Sequence, residues 1–133
     1  MHPSVRQCRQ AEEEIVGNLD VRYRVVNVAV GDLGASAAKK YDIEVWLPGQ
    51  QRYRELTSCS NCTDYQARRL RTRVRRGGGE VEVLHTLNGT ATAIGRTLIA
   101  ILENDQREDG SVEIPPALHP YLPESVRVLR PRS

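Results

Sequence analysis

The feature that most restricts the fold is an alternation of side chains over residues 41–47, Tyr-Asp-Ile-Glu-Val-Trp-Leu. Successive side chains of a β-strand point to opposite faces, so this segment is predicted to be a strand with two unlike sides. One side carries Ile43, Val45 and Leu47, and the other carries Asp42, Glu44 and Trp46. Pro48-Gly49 then closes the strand as a turn.

Other segments have the β-branched, partly alternating composition of strands. Strands are predicted at residues 21–30, 52–60 and 81–88, and helices at 4–18, after Asn61 and at 91–103. Residues 110–131 are Pro-rich and are predicted to be mostly extended. Strands joined by short turns, with helices between them, favour an α+β fold with a mixed, mainly antiparallel sheet and flanking helices.

The predicted helices are placed by capping residues and by apolar stripes. Ser4-Val5-Arg6-Gln7 and Thr63-Asp64-Tyr65-Gln66 both have the spacing of a capping box. The expected stripes are Cys8, Ala11, Ile15 and Leu19 in the first helix, Ala67, Leu70 and Val74 in the second, and Ile94, Leu98, Ile101 and Leu102 in the third.

The composition indicates one soluble globular domain, or a piece of one. The 133 residues are 39% hydrophobic and 27% charged and contain no Phe, so an aliphatic core is expected. No run approaches the roughly 20 apolar residues that span a bilayer, and the start of the chain lacks the apolar stretch of a secretion signal. We therefore expect no membrane association and a cytoplasmic location.

Charge and cysteines add two further expectations. The net charge of +2 is small, and the six arginines between residues 68 and 76 are expected to form a solvated helix face. Cys59-x-x-Cys62 supplies two of the four ligands of a structural zinc site, and His85 would have to lie close to add a third. We expect reduced, packed thiols at this strand-to-helix junction rather than zinc.

Three blocks of the sequence, residues 11–30, 31–73 and 83–122, resemble class II seryl-tRNA synthetases. They cover almost the whole chain. Segments such as YDIEVWLPG and RELTSCSNCTDYQARR are long and distinctive, so the resemblance does not depend on a short glycine pattern. It implies that residues 1–133 are part of a class II synthetase catalytic fold, on the side of its third signature motif.

The resemblance implies a reaction in two transfers. Serine and ATP form seryl-adenylate and diphosphate, and the seryl group then passes to tRNA-Ser. The first transfer needs aligned reactants and neutralised phosphate charge, which a divalent cation and an arginine can supply. ATP as substrate and magnesium are therefore expected.

The segment Glu55, Leu56, Thr57 and Ser58 matches the family's ATP-binding stretch, in which the glutamate and the last serine hold the magnesium ion. In an ideal strand, residues three apart point to opposite faces. Glu55 and Ser58 can therefore share one ion only if the strand twists or bulges between them. An isolated E-x-x-S would be an ordinary exposed pair, and the matched block favours the site.

Arg96 lies in GTATAIGRT, which resembles the third class II motif, a strand followed by a helix with an arginine near its start. The resemblance gives this arginine the catalytic, ATP-binding role, because a guanidinium binds phosphate and stacks on a base. Asn88 and Thr90 match the serine pocket, where the Thr90 hydroxyl is expected to contact L-serine. Apart from the resemblance, these residues would be a helix-surface arginine and a polar turn.

Relative to the family, the chain lacks the amino-terminal coiled coil that grips tRNA, the first and second motifs and the loop that holds the serine amino group. We therefore expect a fragment or a split-gene product with little activity alone, completed in trans or belonging to a homodimer in its full-length form. One alternative is a non-catalytic module that binds RNA or a protein through the arginines at 68–76. Another is a relative that loads amino acids onto carrier proteins and uses an active-site zinc.

Overall fold

The computed structural model describes residues 4–131. Its helices are α1 (Val5–Gly17), α2 (Tyr65–Leu70) and α3 (Ile94–Asn104). Its strands are β1 (Tyr23–Asn27), β2 (Lys39–Leu47), β3 (Arg52–Thr63), β4 (Arg73–Arg75), β5 (Val81–Val83), β6 (Thr86–Thr90), β7 (Val112–Glu113) and β8 (Val128–Leu129). Short 3-10 helices lie at Val30–Asp32, Pro48–Gln50, Pro116–Tyr121 and Glu124–Val126.

The centre of the fold is a four-stranded sheet in the order β1-β2-β3-β6, in which every neighbouring pair is antiparallel. Strands β4 and β5 form a small antiparallel sheet, as do β7 and β8. Short connections such as Pro48–Gln50 between β2 and β3 produce this arrangement, because a tight turn joins antiparallel strands. The predicted α+β fold with a mainly antiparallel sheet is confirmed.

The alternation in β2 divides the sheet into two unlike faces, as predicted. Ile43, Val45 and Leu47 are 0%, 1% and 1% exposed, which places them in the core. Because side chains alternate, Asp42 and Glu44 lie on the opposite side, which we call the polar face.

Helices α1 and α3 supply the other side of the core. Val16 of α1 and Ala100 and Ile101 of α3 belong to the same buried cluster as Ile43 and Leu56. Burying one such aliphatic side chain stabilises the fold by about 1.5–3 kcal/mol, so apolar contacts hold both helices on this side. The remaining polar face is the side of the sheet on which a site can form.

The capping box predicted at the start of α1 is confirmed. Ser4 is the N-cap, and its Oγ accepts a hydrogen bond from the Gln7 amide at 3.3 Å. The Gln7 Oε1 atom accepts one in return from the Ser4 amide at 2.8 Å. Two amides that a helix start leaves unpaired are therefore satisfied.

The apolar stripe predicted for α1 is correct at Leu19, which is buried in the core, and is wrong by one residue at Ala11 and Ile15. Ile15 is 41% exposed and Ala11 is also exposed, whereas Glu12 and Val16 are buried. The helix is rotated because Glu12 accepts a hydrogen bond from Thr57 on the sheet, at 2.8 Å. A stripe drawn from apolar residues alone does not include a buried glutamate.

Helix α2 is shorter than predicted and lacks the expected capping box. Its N-cap is Asp64, which makes no side-chain capping bond, and Thr63 has a φ of +46°. Leu70 is 75% exposed and Val74 belongs to β4, so neither forms the predicted stripe. The helix ends because Arg71 adopts a left-handed conformation, after which the chain enters the β4–β5 hairpin. The arginines at 68–76 are therefore spread over a helix, a turn and a strand rather than one helix face.

Helix α3 begins three residues later than predicted, and its expected buried face is mostly exposed. Ile94, Leu98 and Leu102 are 74%, 56% and 43% exposed, and Ile101 alone of the predicted set is in the core. Polar contacts at the end of the helix fix this rotation, because the Asn104 Nδ2 atom donates to the Trp46 carbonyl at 3.1 Å. Within residues 4–131, each helix falls short of the length and apolar content that a membrane crossing requires.

Two strand predictions need smaller corrections. The segment at 21–30 forms the shorter β1, and Val30 begins a 3-10 helix instead. The segment at 81–88 divides into β5 and β6.

Gly77 and Gly78 form the hairpin turn ahead of β5, with φ values of +54° and +79°. A residue with a side chain would be strained in this conformation. The Pro-rich segment at 110–131 contains two short strands and two 3-10 helices.

Candidate functional site

A β-bulge in β3 reorganises the side chains of the ATP-binding stretch predicted from the sequence. Thr57 pairs with Ile43 and Glu55 pairs with Glu44, so Leu56 is an extra residue without its own cross-strand partner. A bulge shifts the alternation by one residue. Glu55 and Ser58, three residues apart, therefore point to the same face, as a shared ion would require.

The polar face continues from β3 onto β6. Ser58 is the cross-strand partner of Thr90, and Ser60 is the partner of Asn88. Cross-strand partners point to the same side of a sheet with their Cβ atoms about 4.5–5.5 Å apart. The predicted serine-binding residues Asn88 and Thr90 therefore lie on the same face as Ser58 and Glu55.

The residue between the two predicted serine-binding positions points the other way. A Cβ atom at Gly89 would lie 3.2 Å from the Cys8 Sγ atom and 3.2 Å from the Glu12 Oε1 atom. Glycine at this position thus lets β6 pass close to α1. Because α1 lies behind Gly89, Asn88 and Thr90 must be directed away from the helix and onto the polar face.

Charged side chains surround Glu55 on this face. The Lys40 Nζ atom lies 3.0 Å from Asp42 Oδ1 and 3.9 Å from Glu55 Oε1. Arg24 pairs with Glu44 at 2.6 Å. Glu44 and Glu55 are opposite each other in the sheet, where like charges repel, and the two cations offset that repulsion.

Arg96 approaches the sheet from the first turn of α3. Its guanidinium donates a hydrogen bond to the main-chain carbonyl of Glu55. A cavity of about 520 Å³ lies between the start of α3 and the first half of β3, and Glu44, Tyr53, Glu55 and Arg96 are among its lining residues. The structure therefore brings the predicted arginine and glutamate together at one cavity.

The other two residues of the predicted ATP-binding stretch have buried side chains. Leu56 is 1% exposed within the hydrophobic core, and Thr57 is 1% exposed and bonded to Glu12. The main chain of Leu56 is engaged as well, because its carbonyl accepts from the Ala93 amide at 3.1 Å. A role for these two residues in nucleotide binding would have to involve the main chain.

The opposite side of the sheet has a different electrostatic character. Burial raises the pKa of Glu12, the hydrogen bond from Thr57 opposes this, and the charge of Asp42 adds to the rise. Burial also raises the pKa of the Cys59 thiol to about 12, with further contributions from Glu12 and Cys8. Cys59 and Cys62 are both buried, as expected for packed thiols.

The sequence alone indicates no role for Lys40, Asp42 and Glu44. Their period-two spacing places them on one side of a strand, but spacing within β2 cannot show which residues of β3 lie opposite. The register of β2 against β3 shows which residues lie opposite one another, and the bulge at Leu56 makes this register irregular. Arg24 is likewise identifiable only once β1 is paired with β2.

The structure thus combines a sheet with a polar face, a bulged strand and an arginine in the first turn of α3. A model of the tRNA synthetase class II core domain (G, H, P, S and T) matches residues 2–105. The chain belongs to this family.

Within the class, the chain has high identity to several curated serine–tRNA ligases. The chain is 59% identical over 121 residues to that of Dictyoglomus turgidum, which covers 91% of this chain and 28% of the relative. It is 63% identical over 111 residues to that of Dictyoglomus thermophilum, which covers 84% of this chain and 26% of the relative. The chain thus spans little more than a quarter of the length of these relatives.

Solved structures agree with the sequence relatives. Seryl-tRNA synthetase from Pyrococcus horikoshii, complexed with ATP, superposes with a TM-score of 0.90 at 48% identity, over 97% of this chain and 29% of that chain. Cytoplasmic serine–tRNA ligase from Naegleria fowleri, in complex with AMP, gives a TM-score of 0.86 at 43% identity, over 97% and 30% of the two chains. The predicted seryl-tRNA synthetase resemblance and catalytic fold are confirmed.

Proposed function

We propose that the chain forms one part of the catalytic domain of a serine–tRNA ligase, which joins L-serine to tRNA-Ser at the expense of ATP. The bulge at Leu56 carries this proposal, because it turns Glu55 and Ser58 to the face that also bears Asn88 and Thr90. The high identity to serine–tRNA ligases over nearly the whole chain supports it.

The nucleotide subsite is assigned to the cavity beside β3. Glu55 and Ser58 would hold a magnesium ion that accompanies ATP, since carboxylate and hydroxyl oxygens are the ligands this cation prefers. Such an ion neutralises phosphate charge. Lys40, 3.9 Å from Glu55, must then move aside or contact phosphate itself. Leu56 and Thr57 contribute the main chain that positions these two side chains.

Arg96 is assigned as the catalytic arginine. Its guanidinium uses one donor on the Glu55 carbonyl, which fixes its position, and other donors remain for a phosphate group. A group held in advance at the position where charge develops loses little energy to reorganisation during the reaction. The contact with Glu55 therefore serves to position the arginine for the transfer.

The serine subsite is assigned to Asn88 and Thr90 on β6. Their position beside Ser58 and Ser60 would place the amino acid next to the nucleotide, as attack of a carboxylate on the α-phosphate requires. The Thr90 hydroxyl can bond the hydroxyl of serine, and alanine would leave it unpaired. Selectivity against alanine would follow from this contact.

The proposal includes partners beyond the chain. The tRNA-gripping coiled coil and the first two class II motifs would come from the remaining three quarters of a full-length ligase, either in the same polypeptide or in trans. A homodimer and a cytoplasmic location, where protein synthesis uses seryl-tRNA, are part of the same proposal. The chain alone is expected to show little activity.

A graft tests this function directly. The matching 121 residues of the Dictyoglomus turgidum serine–tRNA ligase would be replaced by those of this chain. Serine-dependent exchange of pyrophosphate into ATP should remain within about tenfold of the parent enzyme, and the isolated chain should show background exchange. A folded graft without exchange, or near-normal exchange by the isolated chain, would refute the proposal.

A second candidate function is binding of RNA through the arginines at 68–76. Arg68, Arg69, Arg73 and Arg75 are exposed on α2 and β4. Arg68 is bonded to Asp64 at 2.7 Å, and Arg69 stacks on Tyr65 at 4.2 Å, so part of this charge is already used. Phosphate contacts by several arginines give binding that falls steeply with salt, and absence of tRNA binding by the chain at low salt would exclude this function.

A further inference from the structure

A second group of ligating atoms lies on the side of the sheet away from the candidate nucleotide site. Cys8 and Glu12 are four residues apart on α1 and therefore share one face of the helix. Cys59 on β3 faces them, with its Sγ atom 3.6 Å from the carbonyl of Val5 in the first turn of α1. The two thiols and a carboxylate oxygen all lie within 4.8 Å of one another.

The surroundings of this group have two features of a metal centre. Glu12 is 3% exposed, and its Oε2 atom accepts the hydroxyl of Thr57 at 2.8 Å, which fixes the orientation of the carboxylate. Outer hydrogen bonds of this kind orient metal ligands. Gly89 leaves space on the other side, because a Cβ atom there would come within 3.2 Å of both Cys8 Sγ and Glu12 Oε1.

We infer that Cys8, Glu12 and Cys59 form a structural site for a thiophilic divalent cation, Zn²⁺ being the closest match. Tetrahedral zinc with bonds of about 2.3 Å to sulfur and about 2.0–2.2 Å to oxygen needs ligand separations of about 3.5–3.8 Å. The three ligand atoms lie within 4.8 Å of one another, so shifts of about 1 Å would bring them into this range. Two thiolates exclude magnesium and calcium, which prefer oxygen ligands alone.

The binding step balances without an oxidant. Two Zn–S bonds and one Zn–O bond form, two thiol protons pass to solvent, and the ligand set with its ion carries one negative charge. Water can complete the coordination from the side of Cys8, which is half-buried whereas Cys59 is buried. The ion would join α1 to β3 and so hold the helix behind the bulged strand.

This site differs from the zinc pair considered in the sequence. Within residues 4–131, the clustered ligating side chains are those of Cys8, Glu12 and Cys59, and neither Cys62 nor His85 belongs to this cluster. Zinc in the purified protein would therefore not identify a carrier-protein ligase, whose zinc lies in the active site. The ligands have to be determined, and Cys62, which is buried on the same strand, provides a matched control.

The test is titration of the reduced 133-residue chain with Co²⁺, followed by competition with Zn²⁺. One equivalent of Co²⁺ should bind with thiolate-to-cobalt charge-transfer absorption and tetrahedral ligand-field bands. Cys8→Ser should halve the charge-transfer absorption, Glu12→Gln should weaken Zn²⁺ binding about 10–100-fold with the absorption retained, and Cys62→Ser should change neither. Cys8 is the cysteine least involved in the core, so its substitution leaves the fold intact.

Three results would overturn the inference: no cobalt absorption in the reduced chain, absorption unchanged by Cys8→Ser, or absorption lost in Cys62→Ser. Pyrophosphate exchange by the grafted ligase is a separate readout. Absence of exchange would contradict the ligase proposal without affecting the metal site. Absence of metal binding would contradict the metal site without affecting the ligase proposal.

Discussion

Glu55 and Ser58 are three residues apart on β3 and yet face the same side of the sheet. Leu56, the extra residue of the bulge, joins the core instead and shifts the register between them. In the pairing of β3 with β6, Ser58 lies opposite Thr90, and the Glu55 carbonyl accepts a hydrogen bond from Arg96 at the start of α3. The bulge and the β3–β6 register together assemble the polar groups of the candidate site.

Replacing Arg96 by lysine tests the role of the guanidinium. An ammonium keeps the charge but cannot donate to the Glu55 carbonyl and bind phosphate with a planar fork at the same time. In the grafted ligase we expect kcat for pyrophosphate exchange to fall about 100-fold or more. Arg107→Lys, beyond the end of α3, is the control and should leave kcat unchanged. Equal rates for both variants would remove Arg96 from the transfer step.

Thr90→Val removes one hydroxyl at nearly constant shape. Because the serine hydroxyl would then lose its partner, kcat/KM for serine should fall about 10–100-fold while that for ATP changes little. Thr90→Ser retains the hydroxyl and should preserve most of the activity. If Thr90→Val behaves like Thr90→Ser, the serine subsite lies elsewhere.

The contact between Thr57 and Glu12 is predicted to stabilise the packing of α1 on the sheet. Thr57→Val deprives a buried carboxylate of its hydroxyl partner, which should lower the free energy of unfolding by about 1–3 kcal/mol in urea denaturation. Thr97→Val is a suitable control, because the Ala93 carbonyl that the Thr97 hydroxyl bonds also accepts the Thr97 amide, at 2.9 Å, and so keeps a partner. A smaller loss for Thr57→Val than for Thr97→Val would contradict this account.

Asp105 at the end of α3 is predicted to make stability depend on pH. Burial raises its pKa above the ordinary value of 3.8, and the charges of Asp20 and Glu113 add to the rise. Its contribution to stability is therefore full below pH 3.8 and is lost as the pH rises through the folded-state pKa. Asp105→Asn, which cannot ionise, should be more stable than the wild type at pH 7 and lose that advantage near pH 3.5. Urea denaturation at the two pH values checks the sign.

The sequence predicts the elements of the fold more accurately than their rotations. Alternation in β2 correctly places Ile43 and Asp42 on opposite faces of the sheet, because successive side chains of a strand always point to opposite faces. The predicted stripes of α1 and α3 are only partly buried, since Leu19 and Ile101 reach the core, and the polar residues Glu12 and Asn104 make contacts that orient the two helices. The spacing of apolar residues along a helix does not predict hydrogen bonds to distant parts of the chain.

The residues of the site are likewise easier to predict from the sequence than their arrangement in space. Glu55, Ser58, Asn88, Thr90 and Arg96 can be selected from the sequence through family resemblance. Their convergence depends on the bulge and on pairing between β3 and β6, whose strands are separated by α2 and a hairpin. Lys40 and Arg24 enter the site only through the pairing of β2 with β3 and of β1 with β2, so local sequence does not identify them.

The most direct test compares Glu55→Gln with Glu13→Gln in the grafted ligase. Glu13 lies on α1, behind the sheet, and its ion pair with Arg9 is remote from the polar face. Magnesium-dependent pyrophosphate exchange should fall about 100–1000-fold for Glu55→Gln and stay at the level of the unsubstituted graft for Glu13→Gln. Full exchange by the Glu55→Gln graft at ordinary magnesium concentration would contradict a nucleotide site built on the bulged strand.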